Sequence, residues 1–401
     1  MPSISLFYQT FTRQNDILQQ LSATLNMPLI TDDDIIASIA GEHGIEPDKI
    51  QHSLYEKTSV FNQFTLEKER HVNLMKIEIA SRLRASSQYI FSGFHSLLIP
   101  KGVTHVLKVL LADEKALRVA QAISEGHSEK EAKKVVRQSD ISSYVWTDFL
   151  FHKEAIDRSL YDMILPVSKQ PLDKTVKIIL ENFRKTSVLE TDESKQAVED
   201  MFLAAKVEYA LLQKGHKMEV IADKGDISLE VNKSVFNFSW LANALMPIAQ
   251  DVPGVKNVEV VRGREYDTSV YRSQRFELPS KVLLVDDERE LIQTLSERLI
   301  NRDVGTYAVF DGQQALDIID DDKPEIMVLD LKMPGIDGIE VLRRTKQNNP
   351  EIEVIILTGH GTEDDRKTCM ALGAYAYLQK PVDLDELSRV LLEAHTKISH
   401  V

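Results

Sequence analysis

Four short apolar runs near the C-terminal end of the chain each stop at a residue able to serve one chemistry. Lys281-Val282-Leu283-Leu284-Val285 runs into Asp286 and Asp287, Ile326-Met327-Val328-Leu329 into Asp330, and Val354-Ile355-Ile356-Leu357 into Thr358. Tyr375-Ala376-Tyr377-Leu378-Gln379 leads to Lys380-Pro381. Such runs read as buried parallel strands, and open α/β sheets place their sites beyond the carboxyl ends of those strands. Three carboxylates, a hydroxyl and an ammonium are therefore expected at one sheet edge.

Carboxylates brought together repel. Raised pKa values or a hard cation with oxygen ligands relieve the repulsion, and Mg²⁺ is the natural candidate. One carboxylate then remains placed as a nucleophile towards phosphorus, with the cation and a lysine neutralising charge on the transferring oxygens. Asp330 suits that part, because its strand is the central one in the expected order and Pro334-Gly335 turns the next loop sharply away.

These residues resemble the receiver domain of two-component response regulators over roughly residues 280 to 398. The acidic pair, Asp330-Leu331-Lys332-Met333-Pro334-Gly335, Leu357-Thr358-Gly359-His360-Gly361, Gly373-Ala374-Tyr375 and Lys380-Pro381 follow one another in family order and spacing. The resemblance implies that Asp330 accepts phosphate from a histidine kinase or phosphotransfer protein. It further implies that Asp286, Asp287, Asp330 and the Lys332 carbonyl hold Mg²⁺, and that Thr358 and Lys380 contact the phosphoryl group. Tyr377 would rotate with Thr358 as a switch and remodel the face used by partners. Lys332 and His360 flank the pocket. The implied fold is a flavodoxin-like (βα)5 sheet of order 2-1-3-4-5, and a receiver-mediated dimer is one mode of assembly that it allows.

A chain of 401 residues is expected to hold two or three domains. A net charge of −14 argues against nucleic-acid binding as the main purpose, since phosphate backbones need a basic footprint. The single cysteine, Cys369, excludes an intrachain disulfide framework and fits a reducing cytoplasm. No apolar run approaches the roughly 20 residues needed to span a bilayer. The expectation is a cytoplasmic protein without a transmembrane segment. No DNA-binding segment follows the receiver, so its output is expected in residues 1–279 or through an unknown protein partner.

In the N-terminal half, Ile17, Leu18, Leu21 and Leu25 mark a helix over residues 14–25, and a second helix starts at Thr31-Asp32-Asp33-Asp34. Strands are expected at 88–91, 103–110 and 161–166, with helices at 113–125, 128–138 and 171–184. Ser128-Glu129-Lys130-Glu131 reads as a capping box. The three aspartates read as charges complementing a helix dipole rather than a metal cluster. His95 and His105 read as isolated histidines, structural or on the surface.

The order of these elements is similar to the cytidylate-kinase-like family of P-loop kinases over roughly residues 1–185. The resemblance rests on Leu25 to Asp34, Leu117-Arg118, Glu125 to Ala132, Arg137 with Asp140, and Tyr161 to Pro166. It implies that Arg118 and Arg137 could contact a nucleotide phosphate. A phosphate-cradling loop needs glycines, so that backbone N–H groups can approach the phosphates. Here Phe7-Tyr8-Gln9-Thr10-Phe11-Thr12-Arg13-Gln14-Asn15 has none, and Ser92-Gly93-Phe94-His95 lacks an arginine the family carries. The lid arginine expected after Asp140 is also missing from Ile141-Ser142-Ser143-Tyr144. Kept fold and lost phosphoryl transfer is the reading.

Residues 190–263 are expected to run helix, hairpin, helix, strand. With the Val252-Pro253-Gly254-Val255 turn they resemble the BON domain, a small α+β module. The expected architecture is α/β and multidomain: 1–187 kinase-like, 190–263 BON-like, 264–279 a linker, and 280–401 the receiver. The function expected is a response regulator in a Mg²⁺-dependent phosphorelay that switches contacts of its N-terminal modules or of partners. The alternatives are a receiver-gated nucleoside monophosphate kinase and a nucleotide sensor without turnover.

Overall fold

The computed structural model describes residues 2–59, 61–85, 88–232, 238–263, 281–300, 302, 304–359 and 361–399. His360 and the linker expected at 264–279 lie outside them. Among the described residues, three sheets are formed, two in one compact unit and the third in another.

The first sheet contains β1 (Ser3–Tyr8), β2 (Leu29–Thr31), β3 (Ile90–Ser92), β4 (Val106–Ala112) and β5 (Met163–Pro166), in the order β2-β3-β1-β4-β5. All neighbours are parallel. Alternation along the strands builds two cores, as the two-residue period of a pleated strand requires. Ile4 and Leu6 pack with Leu107, Val109 and Leu111 on one face, while Phe7 packs with Val106 and Leu110 on the other. The central strand also buries two hydroxyls, and both are satisfied. Ser5 Oγ donates to Ser96 O at 2.8 Å, and Ser3 Oγ accepts from the Tyr89 N–H at 3.1 Å.

The local signals hold at the helix starts. Thr31 Oγ1 accepts from the Asp34 N–H while Asp34 accepts from the Thr31 N–H, and Ser128 and Glu131 exchange the same pair of bonds. Three stretches differ from expectation. The helix Glu67–Arg84 escapes periodicity because it buries Lys68, Glu69, His71 and Asn73 among its apolar residues, leaving no clean apolar stripe. The helix expected to end near 138 runs from Glu129 to Phe151, because Ser143, Trp146 and Thr147 are buried and Thr147 Oγ1 returns to Ser143 O. β4 begins at Val106 rather than Val103, since the Pro100–Thr104 segment closes as a turn with Val103 N–H on Pro100 O.

The second sheet has the order β6 (Glu219–Asp223), β7 (Asp226–Val231), β8 (Asn257–Arg262). Lys224 and Gly225 take positive φ (51° and 100°), the two-residue turn that matches strand twist in a hairpin. The helices Asp192–Gln213 and Phe238–Gln250 pack against this sheet around Val207, Leu229 and Leu245. The helix Asp192–Gln213 also reaches the helix Glu67–Arg84 through Lys76–Glu208 (3.0 Å) and Arg84–Glu199 (2.8 Å).

The third sheet contains β9 (Val282–Val285), β10 (Thr306–Val309), β11 (Ile326–Leu329), β12 (Glu353–Thr358) and β13 (Ala376–Gln379). All neighbours are parallel and the order is β10-β9-β11-β12-β13, which is 2-1-3-4-5 within the domain. β9 and β11 are buried throughout, which is why they read as unbroken apolar runs. Cys369 is buried and free. No helix among the described residues is long and apolar enough to cross a membrane.

Candidate phosphoacceptor site

Register brings the polar residues of the third sheet together. Leu329 pairs with Val285, so Asp330 and Asp286 leave their strands at the same level. Asp330 N–H bonds Val285 O at 2.9 Å and Lys380 N–H bonds Thr358 O at 3.0 Å, which carries the ladder one residue beyond each strand end. Carboxylate oxygens of Asp286, Asp287 and Asp330 come within 4.8 Å of one another. Asp286, Asp330 and Thr358 are buried, whereas Asp287 is exposed.

The ammonium of Lys380 divides itself unequally. It lies 2.6 Å from Asp286 Oδ2, 3.2 Å from Glu288 Oε1 and 3.9 Å from Asp330 Oδ2. Burial pushes the Asp286 carboxyl up and, with the charge of Asp330, outweighs the hydrogen bonds from Lys380 and the Glu288 N–H. Burial alone would pull Lys380 down, but its bond to Asp286 and the fields of Asp286 and Asp330 leave it raised. Among the described residues, Asp330 Oδ1 is buried with no hydrogen-bond partner. A buried acceptor without a donor is costly, and it marks where an incoming positive group would be most favoured.

Two residues that sequence reasoning missed shape this edge. Glu288 gives Lys380 a second carboxylate and donates its own N–H to Asp286 Oδ1 at 3.0 Å. At Gly338 an added Cβ would stand 2.2 Å from Asp330 O, so only glycine lets the helix Gly338–Asn348 start against the Asp330 backbone. The signal for Gly338 lies in Asp337-Gly338, where Asp337 caps the helix by accepting from the Ile339 N–H.

The sites inferred in the N-terminal half fare differently. Arg118 is buried and meets Asp140 at 2.9 Å, whereas Arg137 is exposed on the helix Glu129–Phe151. The glycine-free segment after β1 holds Phe11 and Arg13 at positive φ (63° and 54°). Its Thr12 N–H is taken by Gln14 Oε1, and Gln9 Oε1 accepts from the Asp113 N–H. Phe7 packs into the core against Phe94 and Tyr161.

Asp32 and His95 require a correction. His95 is not isolated: it is fully buried, and its Nδ1 lies 2.6 Å from Asp32 Oδ1. Asp32 is not simply a dipole charge either, since it also accepts from the N–H groups of Phe94 and His95 and from Tyr55 Oη. Its carboxylate occupies the space above Gly93, where a Cβ would meet it at 2.2 Å. His105 is likewise buried, bonded to Ser194.

The response regulator receiver domain family model matches residues 282–392. Over 107 residues the chain is 39% identical to Sporulation initiation phosphotransferase F of Bacillus subtilis, covering 27% of this chain and 86% of that protein. The chain belongs to the response regulator receiver family. Response regulator MprA of Mycolicibacterium vanbaalenii is 34% identical over 110 residues, 27% of this chain, and the chain spans about half (48%) of its length. A solved receiver domain protein from Clostridium thermocellum is 31% identical, covers 30% of this chain and 97% of its own, and gives a TM-score of 0.29. Residues 4–169 match the model of the cytidylate kinase-like family.

Within the receiver, Tyr377 is half-buried, and its hydroxyl is buried without a partner among the described residues. A Cβ on Gly361 would lie 1.7 Å from Tyr377 Oη and 2.8 Å from Thr358 Cγ2. The ring therefore occupies volume that Gly361 leaves open beside Thr358. The acidic residues also fit a hard cation: three carboxylates are gathered within 4.8 Å, and among the described residues one buried oxygen lacks a donor.

Proposed function

We propose that this chain is a two-component response regulator whose Asp330 accepts a phosphoryl group from a histidine kinase or phosphotransfer protein. The observation that carries the reading is the gathering of Asp286, Asp287 and Asp330 beside Lys380 at the carboxyl edge of the third sheet. An Asp330 oxygen would form a bond to phosphorus as the donor's phosphorus–nitrogen bond breaks, the electron pair leaving on the imidazole. Asp286, Asp287, Asp330 and the Lys332 carbonyl would hold Mg²⁺, which when bound supplies positive charge to the phosphoryl oxygens.

Lys380 then has to shift from Asp286 towards the new oxygens, and the Thr358 hydroxyl to turn towards them. Tyr377, which lies against Thr358 across Gly361, follows that movement. The output is a changed interaction, with residues 1–187 and 190–263 of this chain, with a protein partner or with a second receiver, rather than DNA binding. The test is phosphorylation by a small phosphodonor: incorporation should need Mg²⁺ and disappear in Asp330→Asn.

The cytidylate kinase-like match favours a second reading, in which residues 1–187 bind or turn over a nucleotide under receiver control. Against turnover stand the glycine-free loop, with its Thr12 N–H already engaged, and the pairing of Arg118 with Asp140. Purified protein incubated with ATP and CMP distinguishes the two, since only a gated kinase yields product that depends on phosphorylation at Asp330.

A further inference from the structure

Lys108 sits in the middle of apolar chain. It follows Val106 and precedes Leu110 on one face of β4, and it is 9% exposed. Burying a lysine is costly unless it is paired. Among the described residues no carboxylate comes within ion-pair distance of its ammonium. The nearby Asp162 accepts from the Lys108 backbone N–H instead, at 2.8 Å.

Lys108 lines a cavity of about 520 Å³ at the amino edge of the first sheet, where β4 and β5 begin and the helix Leu172–Phe183 has ended. Lys101, Arg158 and Lys185 line the same cavity, and among the described residues Asp162 is its one carboxylate. Of these cations Lys185 bonds the Asn182 side chain, while Lys101 and Arg158 have no ion pair among the described residues. Four positive side chains against the one carboxylate that lines the cavity leave its wall net positive, even with Asp157 close enough to feel Lys101, and that field favours an anionic ligand. The serines Ser159 and Ser187 add hydroxyls, and Tyr161 and Val188 offer an apolar wall. That volume suits a ligand of nucleotide size, and the mixture of charge and apolar wall suits an organic phosphate.

We infer that this cavity is a binding site for a small organic phosphate. It is separate from the loop after β1, which leaves the opposite, carboxyl edge of the same sheet. Asn182, Lys185 and Ser187 lie beyond residue 169, where the cytidylate kinase-like match ends, so the site draws on residues that the family match does not include. The site could report a metabolite to the chain without any phosphoryl transfer, and it stands independently of the role given to Asp330.

The test is calorimetric titration of the full chain at low salt with pyrophosphate, CMP and ATP, in the wild type and three variants. Lys108→Met keeps the side-chain volume and removes the charge, Arg158→Gln alters an exposed cation, and Arg13→Gln alters the loop after β1. Expected is saturable binding of CMP or ATP that weakens by about tenfold or more in Lys108→Met and in Arg158→Gln and is unchanged in Arg13→Gln. Equal binding in wild type and Lys108→Met, binding lost only in Arg13→Gln, or no binding of any probe up to millimolar concentration would overturn the inference. Because Arg158 is exposed, its variant keeps the test valid should Lys108→Met fail to fold.

Discussion

Lys380 is bonded to Asp286 at 2.6 Å and stands 3.9 Å from Asp330, so the cation that would receive the phosphoryl oxygens is held by a neighbouring carboxylate. Removing it exposes what it holds. In Lys380→Met the buried Asp286 and Asp330 lose their nearest compensating charge, and breaking one partner of a buried ion pair costs about 3 kcal/mol or more. The expected result is a clear fall in the urea midpoint of the receiver transition measured without divalent cation. An unchanged midpoint would mean that the pair contributes no stability.

Gly361 and Tyr377 form a second testable pair. In Gly361→Ala the new methyl overlaps Tyr377 Oη at 1.7 Å and approaches its Cζ at 3.0 Å, so the ring has to leave its place. The expected cost is about 1–3 kcal/mol, as for overpacking elsewhere. Tyr377→Phe removes the atom in the worst overlap. The double variant should therefore lose less than the sum of the two single variants, by about 0.5 kcal/mol or more. Strict additivity in denaturant melts would show that the ring does not occupy the space over Gly361.

Asp32 offers a pH signature. Burial would raise its carboxyl, but the hydrogen bond and charge of His95 and two backbone N–H groups hold it below its ordinary 3.8. A carboxylate with a depressed folded pKa contributes stability that is complete above about pH 4 and is lost as pH falls through the folded value. In Asp32→Asn the first unit should be less stable at neutral pH by about 2 kcal/mol, and its stability should fall less steeply below pH 4. Melting curves from pH 3 to 7 measure both. A variant as steep as the wild type would remove Asp32 from the acid transition.

Lys108 gives stability the same pH slope for a different reason, since here burial disfavours the charged form. Burial depresses its pKa to about 8 from 10.5. Between these values the unfolded chain binds a proton that the folded chain does not, so stability through this group rises with pH. Lys108→Met should raise stability by about 2 kcal/mol at pH 7, and the advantage should shrink as pH approaches 10. An advantage that stays constant with pH would contradict a buried charged lysine.

Much of the third sheet was legible because parallel strands buried on both faces read as unbroken apolar runs, and because Asp286, Asp330 and Thr358 sit at or just beyond their ends. Period, strand ends and residue type then carried the same message. Glu288 and Gly338 were not legible, since each acts through a spatial neighbour, Lys380 and the Asp330 backbone. The helix Glu67–Arg84 was hidden for a related reason: Lys68, Glu69, His71 and Asn73 are buried, so polarity no longer marked its solvent face. His95 looked isolated because its partner Asp32 is distant in sequence and was accounted for by the helix start it occupies. Lys108 passed as one polar residue in an apolar strand, and only the cavity beside it gives it meaning.

The most direct measurement is intact-protein mass after incubation with acetyl phosphate. One phosphoryl group is expected on the wild type with Mg²⁺, none when Mg²⁺ is replaced by EDTA, and none on Asp330→Asn with Mg²⁺, with the adduct released by hydroxylamine as an acyl phosphate would be. Undiminished incorporation in Asp330→Asn, or an adduct mapped to a residue outside the Asp286, Asp287 and Asp330 cluster, would contradict it.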